Sequence, residues 1–351
     1  MIQKNAPRFR RWTIATLLCA LAALTLCAVT VYAVDPFEHY RQARFYTPLY
    51  DNQIYCNSGI ARHYTYDAVM VGSSMIENTR VSTLDACFGV QSVKLPFQGG
   101  YPYNYARVLD IAFGTHEMAA VFYALDVTSF AMPADSPSNP LPEYLWNDSA
   151  LDDVYYLLNA SVLIDEIGNT LRYNLRGDLP ENPRDAMYTW TDVRFSRETA
   201  LASYDFNSPR YEMTAPDHFA GRVLRNWELN LKPYLEAHPD TTFYFYFPPY
   251  SVIYWVLQTD AGVRETQLWA REQLAQWLLA YDNVRLFDFA AREEWTLDLD
   301  RYMDYSHHDP QMNEQIVRGM AVGENEVRDV AQVLAANESI RAAAESFERP
   351  Y

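Results

Sequence analysis

Apolar positions divide this chain into one long uninterrupted run and a series of short ones. Residues 12–34 contain no charged side chain, and ~20 apolar helical residues suffice to cross the ~30 Å bilayer core. Lys4, Arg8, Arg10 and Arg11 precede the run. The positive-inside rule therefore predicts a single-pass anchor in the cell membrane, with residues 1–11 cytoplasmic and the bulk of the chain extracytoplasmic. A cleaved signal peptide is the alternative, although residues 12–34 exceed the usual apolar length of ~7–15 residues.

Beyond the anchor and a membrane-proximal connector at residues 35–65, short apolar runs alternate with amphipathic stretches. The runs predict parallel strands at 68–71, 90–95, 119–125, 241–247 and 284–289. Helices are predicted at 75–86, 105–113, 219–237, 267–281 and 312–345. This alternation is typical of a doubly wound α/β sheet, whose sites lie at the carboxyl ends of the strands.

Residues 132–216 interrupt that alternation. Eight prolines fall within them, together with many aromatic and acidic residues, and only one helix is predicted, at 151–172. We interpret this segment as an insertion, either a lid or an acceptor-binding lobe over the sheet. Packing alone is the alternative use of the apolar stripe on its helix.

The first predicted strand leads into a turn that carries candidate chemistry. Gly72 permits a sharp bend, and Ser73 and Ser74 follow it. A serine at such a corner can be a nucleophile beside backbone N–H groups that the following helix leaves unsatisfied. A plain turn of small residues fits this stretch equally well.

A second candidate element lies about 230 residues later, where Asp304 and His307 are three positions apart. The carboxylate of such a pair can orient the imidazole so that its other nitrogen faces a serine from elsewhere in the fold. The neighbouring His308 is predicted to contact solvent or substrate instead.

The early Gly72-Ser73-Ser74 and the late Asp304-x-x-His307 resemble the SGNH (GDSL-like) hydrolase superfamily. The closer resemblance is to its membrane-anchored branch, which includes the D-alanyl transfer protein of teichoic acids and the alginate O-acetylation proteins. It covers roughly residues 35–335. It implies an SGNH/flavodoxin-like three-layer sandwich with a central parallel sheet, spanning residues 66–351. Ser74 would be the nucleophile, His307 the general base and Asp304 the acid that orients it.

The resemblance also implies where the transition state is bound. Oxyanion donors would be the N–H groups of Ser74 and of Gly99 or Gly100, which follow the second strand. The family's third block, normally Gly-x-Asn-Asp, is reduced here to the stretch ending in Leu125-Asp126, so its oxyanion-binding asparagine is missing. Residues at the strand ends are predicted to contact substrate: Glu77, Asn78, Asp126, Pro249, Tyr250 and Ser251.

Charge and cysteine content narrow the possible partners. Without the four basic residues of the N-terminal tail, 24 basic residues face 45 acidic ones, a net charge of −21. Such a surface repels nucleic acid. Cys56 and Cys87 are predicted to form a disulfide in an oxidising exterior. No Cys/His cluster has the spacing of a zinc site.

These observations predict an extracytoplasmic serine-dependent O-acyltransferase or esterase that acts on acyl esters of a cell-envelope glycan or polymer. The mechanism requires no metal or cofactor. The resemblance implies a membrane-bound O-acyltransferase as partner. The alternative is a non-catalytic envelope protein of the same fold that binds glycan or scaffolds an assembly complex.

Overall fold

The computed structural model describes residues 6–177 and 179–350, and the chain divides into two compact units. The first unit contains the chain up to Tyr50 together with Ile54–Tyr64 and Leu141–Glu181. The second contains Asp51–Gln53, Thr65–Pro140 and the chain from Asn182 onward. The insertion predicted at 132–216 is therefore shared between the two units.

Six strands form one sheet in the second unit. The strands are β1 (Ala68–Gly72), β2 (Ser92–Pro96), β3 (Ala120–Ala124), β4 (Thr242–Phe247), β5 (Val284–Asp288) and β6 (Glu326–Val327). The helices are α1 (Ala6–Val34), α2 (Gln53–His63), α3 (Val81–Phe88), α4 (Pro102–Thr115), α5 (Glu143–Trp146), α6 (Val154–Leu157), α7 (Ile167–Arg176), α8 (Pro183–Ala186), α9 (Arg197–Ala202), α10 (Ala220–Asn230), α11 (Lys232–Ala237), α12 (Val252–Asp260), α13 (Arg264–Leu278), α14 (Glu293–Thr296), α15 (Pro310–Val322) and α16 (Val330–Ser346).

The strand order is β2-β1-β3-β4-β5-β6, and only β6 runs antiparallel to its neighbour. The first five strands thus follow a doubly wound order whose direction reverses between β1 and β3. Both faces of the sheet are buried: Met70 and Phe122 belong to one apolar layer, while Val71 and Tyr123 point to the opposite side. The predicted α/β class and its five parallel strands are confirmed.

The helix α1 is the one element among residues 6–177 and 179–350 that is long and apolar enough to cross a membrane. An 18-residue window within its Arg8–Val34 portion has a mean hydropathy of 2.4, and 6 % of that window is buried. This agrees with the predicted apolar run. Residues 1–5, the start of the predicted tail, lie outside the described residues.

Several predicted helices have other boundaries. The helix predicted at 75–86 is a short 3₁₀ turn, Ser74–Ile76, followed by α3. The helix predicted at 312–345 is two helices, because Gly323 adopts φ 76° after α15 and the chain then pairs as β6 with β5. The helix α12 was not predicted. The predicted helix at 151–172 is interrupted, since the Asn159 side chain accepts the N–H groups of Ser161 and Val162.

Candidate active site

The corner after β1 presents one serine outward and the other inward. A methyl group at Gly72 would lie 2.8 Å from the Ala124 Cβ of the neighbouring strand, so only glycine fits this close approach. The Ser73 hydroxyl accepts the Met75 N–H at 3.4 Å and is buried. Ser74 begins the 3₁₀ turn and is half-buried.

His307 joins the two separated sequence elements. Its Nε2 lies 2.7 Å from Ser74 Oγ, and its Nδ1 lies 2.7 Å from Asp304 Oδ2. The second carboxylate oxygen of Asp304 accepts the N–H groups of Ser306 and His307. Burial alone would raise the Asp304 pKa, but hydrogen bonds from His307 and Ser306 outweigh it and hold that pKa below its usual value. Asp304 is therefore ionised at neutral pH and suited to hold the imidazole with its proton on Nδ1.

The loop carrying the histidine is fixed by residues that the sequence predicts to bind substrate. The Tyr302 hydroxyl donates to the Pro249 carbonyl at 2.7 Å, and the Ser251 hydroxyl donates to the Tyr305 carbonyl at 2.7 Å. Pro249 and Ser251 are both buried. The contacts of these two residues therefore position the Asp304–His307 loop.

Glu77 and Asn78 are likewise engaged within the protein. Glu77 is 0 % exposed, and its carboxylate accepts hydrogen bonds from Gln53, Gln98 and the indole of Trp190. The Asn78 side-chain oxygen accepts the Trp190 backbone N–H at 3.0 Å. Burial raises the Glu77 pKa, while those donors and the nearby His307 partly offset the shift.

Trp190 is the site residue that sequence reasoning missed. Its ring and the His307 ring are perpendicular, with 5.0 Å between their centroids. It lies in the proline-punctuated segment 132–216, outside the one helix predicted there, and no motif surrounds it. Only the fold brings it to the histidine.

A buried lysine forms hydrogen bonds with the backbone that follows Ser74. Lys94 on β2 donates through Nζ to the carbonyls of Glu77, Thr79 (2.9 Å) and Asp185 (3.1 Å). The carbonyls of Glu77 and Thr79, which lie between the 3₁₀ turn and α3, thus accept from an ammonium where a continuous helix would supply backbone N–H donors. Burial lowers the pKa of Lys94 to about 7.

Asp126 occupies the end of β3, on the strand adjacent to β1. Its carboxylate accepts hydrogen bonds from the Tyr250 hydroxyl and the Thr128 N–H, and it is close enough to His307 to interact electrostatically. Burial dominates and raises the pKa of Asp126 to about 6. The site thus has a titratable carboxyl near the histidine.

The two predicted glycine donors differ. The Gly100 N–H already donates to the Phe97 carbonyl at 2.9 Å, so it is not available for an oxyanion. Gly99 adopts φ 58° on the exposed turn, and within the described chain its N–H has no hydrogen-bond acceptor. Gly99 and Ser74 therefore remain the candidate backbone donors.

Two further predictions are wrong. Cys56 and Cys87 are not bonded to each other: Cys56 is buried in α2 of the first unit, and Cys87 packs against the core of the second. His308 is 1 % exposed and does not face solvent. Burial lowers its pKa to about 4, so its imidazole is neutral at physiological pH.

Within residues 6–177 and 179–350, no group of three or more His, Cys, Asp or Glu side chains is placed to hold a metal ion. The chain matches no protein-family model, no curated protein and no solved structure.

Proposed function

We propose that the second unit is a serine-dependent acyl-ester hydrolase or O-acyltransferase. The observation that carries this proposal is the pair of 2.7 Å contacts, from Ser74 Oγ to His307 Nε2 and from His307 Nδ1 to Asp304 Oδ2. The resemblance of both motifs to the SGNH superfamily supports it. So does the strand order, which puts Ser74 beside the reversal point between β1 and β3.

In the first half of the reaction, Ser74 Oγ attacks the acyl carbonyl while His307 Nε2 takes its proton. Asp304 stabilises the imidazolium that forms. Collapse of the tetrahedral intermediate breaks the ester bond, and the imidazolium returns the proton to the leaving alcohol. In the second half, water or an acceptor hydroxyl attacks the acyl-enzyme by the same steps, which regenerates Ser74.

The developing oxyanion would be bound by the N–H groups of Ser74 and Gly99. Loss of one such donor typically costs ~100–1000-fold in rate. The family's side-chain amide is missing, and the charge of the nearby Asp126 opposes an oxyanion once this residue ionises. We therefore expect slow turnover of simple esters.

The predicted membrane anchor indicates on which side of the membrane the acyl substrate would lie. With α1 spanning the cell membrane and the cytoplasm at its N-terminus, the second unit would act outside on acyl esters of an envelope glycan or polymer. A membrane-bound O-acyltransferase is the corresponding candidate donor partner. The rival function is a glycan-binding or scaffolding protein of the same fold, which the carboxyl of Asp126 and the engaged Gly100 N–H favour.

The test is covalent labelling of the detergent-solubilised full chain with a fluorophosphonate, together with hydrolysis of p-nitrophenyl acetate. Labelling at Ser74 supports the proposal, and Ser74→Ala should remove it. Ser73→Ala is the matched control, because the neighbouring hydroxyl faces inward and should be dispensable for labelling. A wild-type chain with neither labelling nor turnover would favour the binding protein.

A further inference from the structure

The side chains of α1 are exposed along most of the helix and become partly buried near its C-terminal end. Every described side chain from Arg8 to Leu26 is exposed, whereas Cys27, Ala28, Thr30 and Val34 are partly covered. Val31 is 0 % exposed. Helix α6 and the π-helical turn Val162–Glu166, both of the first unit, contact α1. The first unit therefore packs against the last turns of its own apolar helix.

Membrane thickness makes this arrangement informative. The apolar stretch in which every residue is exposed, residues 12–26, contains 15 residues, which span only ~22 Å at ~1.5 Å per residue. A bilayer core is ~30 Å thick. If α1 spans the membrane, as the proposed function has it, the remaining ~8 Å of hydrocarbon lies beside the covered turns. The elements that cover those turns are then at the depth of the membrane boundary.

Those elements continue into an amphipathic helix with an exposed apolar side. Ile164, Leu171 and Leu175, here called the interfacial face, are 67 %, 58 % and 75 % exposed. They follow one another at intervals of seven and four residues, which places them along one side of a helix. A flanking side of this helix is attached to the protein: Asn174 exchanges two hydrogen bonds of 2.9 Å with the Thr47 backbone.

The charges of this segment do not indicate an electrostatic interaction with a partner. Residues 162–176 contain two acidic and two basic side chains, so the segment has no net attraction to an anionic partner. A helix with balanced charge and a strongly apolar side binds a bilayer boundary through the area it buries.

We propose that the interfacial face lies embedded in the bilayer leaflet at the C-terminal end of α1, as a monotopic helix beside the spanning one. The occupant of this surface is lipid acyl chain. The first unit would thus be held to the membrane at two places, the spanning helix and the interfacial face.

Photo-crosslinking of the full chain in vesicles tests the inference. The photoreactive p-benzoyl-phenylalanine is placed at Leu171, at the adjacent exposed Arg172 as matched control, and at Leu18 in the exposed part of α1. Lipid adducts are then quantified by mass spectrometry. We expect Leu171 to yield adducts at a level near that of Leu18 and at least ~10-fold above Arg172, because neighbouring helix positions point ~100° apart. Vesicles of phosphatidylcholine with and without phosphatidylglycerol should give the same yield.

Other outcomes overturn the inference. Adducts at Leu171 as scarce as at Arg172, with Leu18 labelled, would leave the face in water. A crosslink from Leu171 to a second copy or another protein would assign the surface to that partner. Absence of lipid adducts at Leu18 would contradict the membrane-spanning role of α1, and this inference would then be wrong as well. Fluorophosphonate labelling of Ser74 would be unaffected by that result.

Discussion

Each unit of this protein contains a histidine hydrogen-bonded to an aspartate, and the two pairs differ in what lies at the other ring nitrogen. In the second unit, His307 contacts Asp304 through Nδ1 and Ser74 through Nε2. In the first unit, His39 Nε2 lies 3.2 Å from Asp153, but its Nδ1 is buried and has no hydrogen-bond partner in the described chain.

The two pairs also differ in how exposed their side chains are. The side chains of His307 and Asp304 are 24 % and 26 % exposed, against 9 % and 15 % for His39 and Asp153. His39 packs between aromatic rings, including that of Tyr156. An aspartate–histidine contact by itself therefore says little about chemistry. It becomes a candidate catalytic pair when an accessible hydroxyl completes it.

The largest expected effect comes from removing Ser74 or His307, the serine and the histidine of the second unit. Ser74→Ala and His307→Ala should each reduce p-nitrophenyl acetate hydrolysis to background. The double variant should be little worse than either, because such residues act as a unit. Steady-state kinetics on purified full chain provide the measurement. His39→Ala is the matched control and should retain turnover; a loss equal to that of His307→Ala would break the distinction between the pairs.

The second-largest effect is expected from substitution of the aspartate that contacts His307. Asp304→Asn should reduce kcat by roughly 10³–10⁴-fold, because the imidazole loses the partner that fixes its tautomer and stabilises its charged form. Asp153→Asn makes the same chemical change in the first unit and should leave kcat unchanged. Equal kcat values for Asp304→Asn and wild type would contradict the assigned role.

A smaller, pH-dependent effect is expected at Asp126, whose pKa is raised to about 6. Below that pKa the carboxyl is neutral, and above it a negative charge opposes the oxyanion. The ratio of Asp126→Asn to wild-type kcat/KM should therefore increase as pH rises through about 6 and reach roughly 10-fold by pH 8. Profiles from pH 5 to 8 measure it. A ratio that falls with pH would show that the carboxylate instead stabilises the imidazolium of His307.

The smallest expected effect concerns the support of the histidine loop. Tyr302→Phe removes the hydrogen bond to the Pro249 carbonyl, which should lower the free energy of unfolding by about 1 kcal/mol. We expect a modest fall in kcat with KM unchanged. Tyr40→Phe, which removes a hydroxyl contact to Asp153, should destabilise similarly without changing kcat. Chemical denaturation and kinetics on the same samples separate the two effects.

Local patterns in the sequence were sufficient for much of this fold. The uncharged run at residues 12–34 predicted α1, and runs of buried apolar residues predicted five parallel strands within a few residues of their limits. Gly72 and the serines after it predicted the corner, because a glycine that ends a strand permits a sharp turn. The separation of Asp304 from His307 suited a single loop, and these two residues are hydrogen-bonded in the structure.

Other features depend on groups that meet across long stretches of chain, and only the tertiary structure decided them. Lys94 binds carbonyls at the break in the helix predicted after Ser74, and Trp190 reaches His307 from a segment without a motif. Pro249 and Ser251 contact the histidine loop instead of an open pocket. Hydrophobic periodicity reports which side of an element is buried. It does not report which hydrogen-bonding groups that side will find, because this depends on how distant strands and loops are joined in the fold.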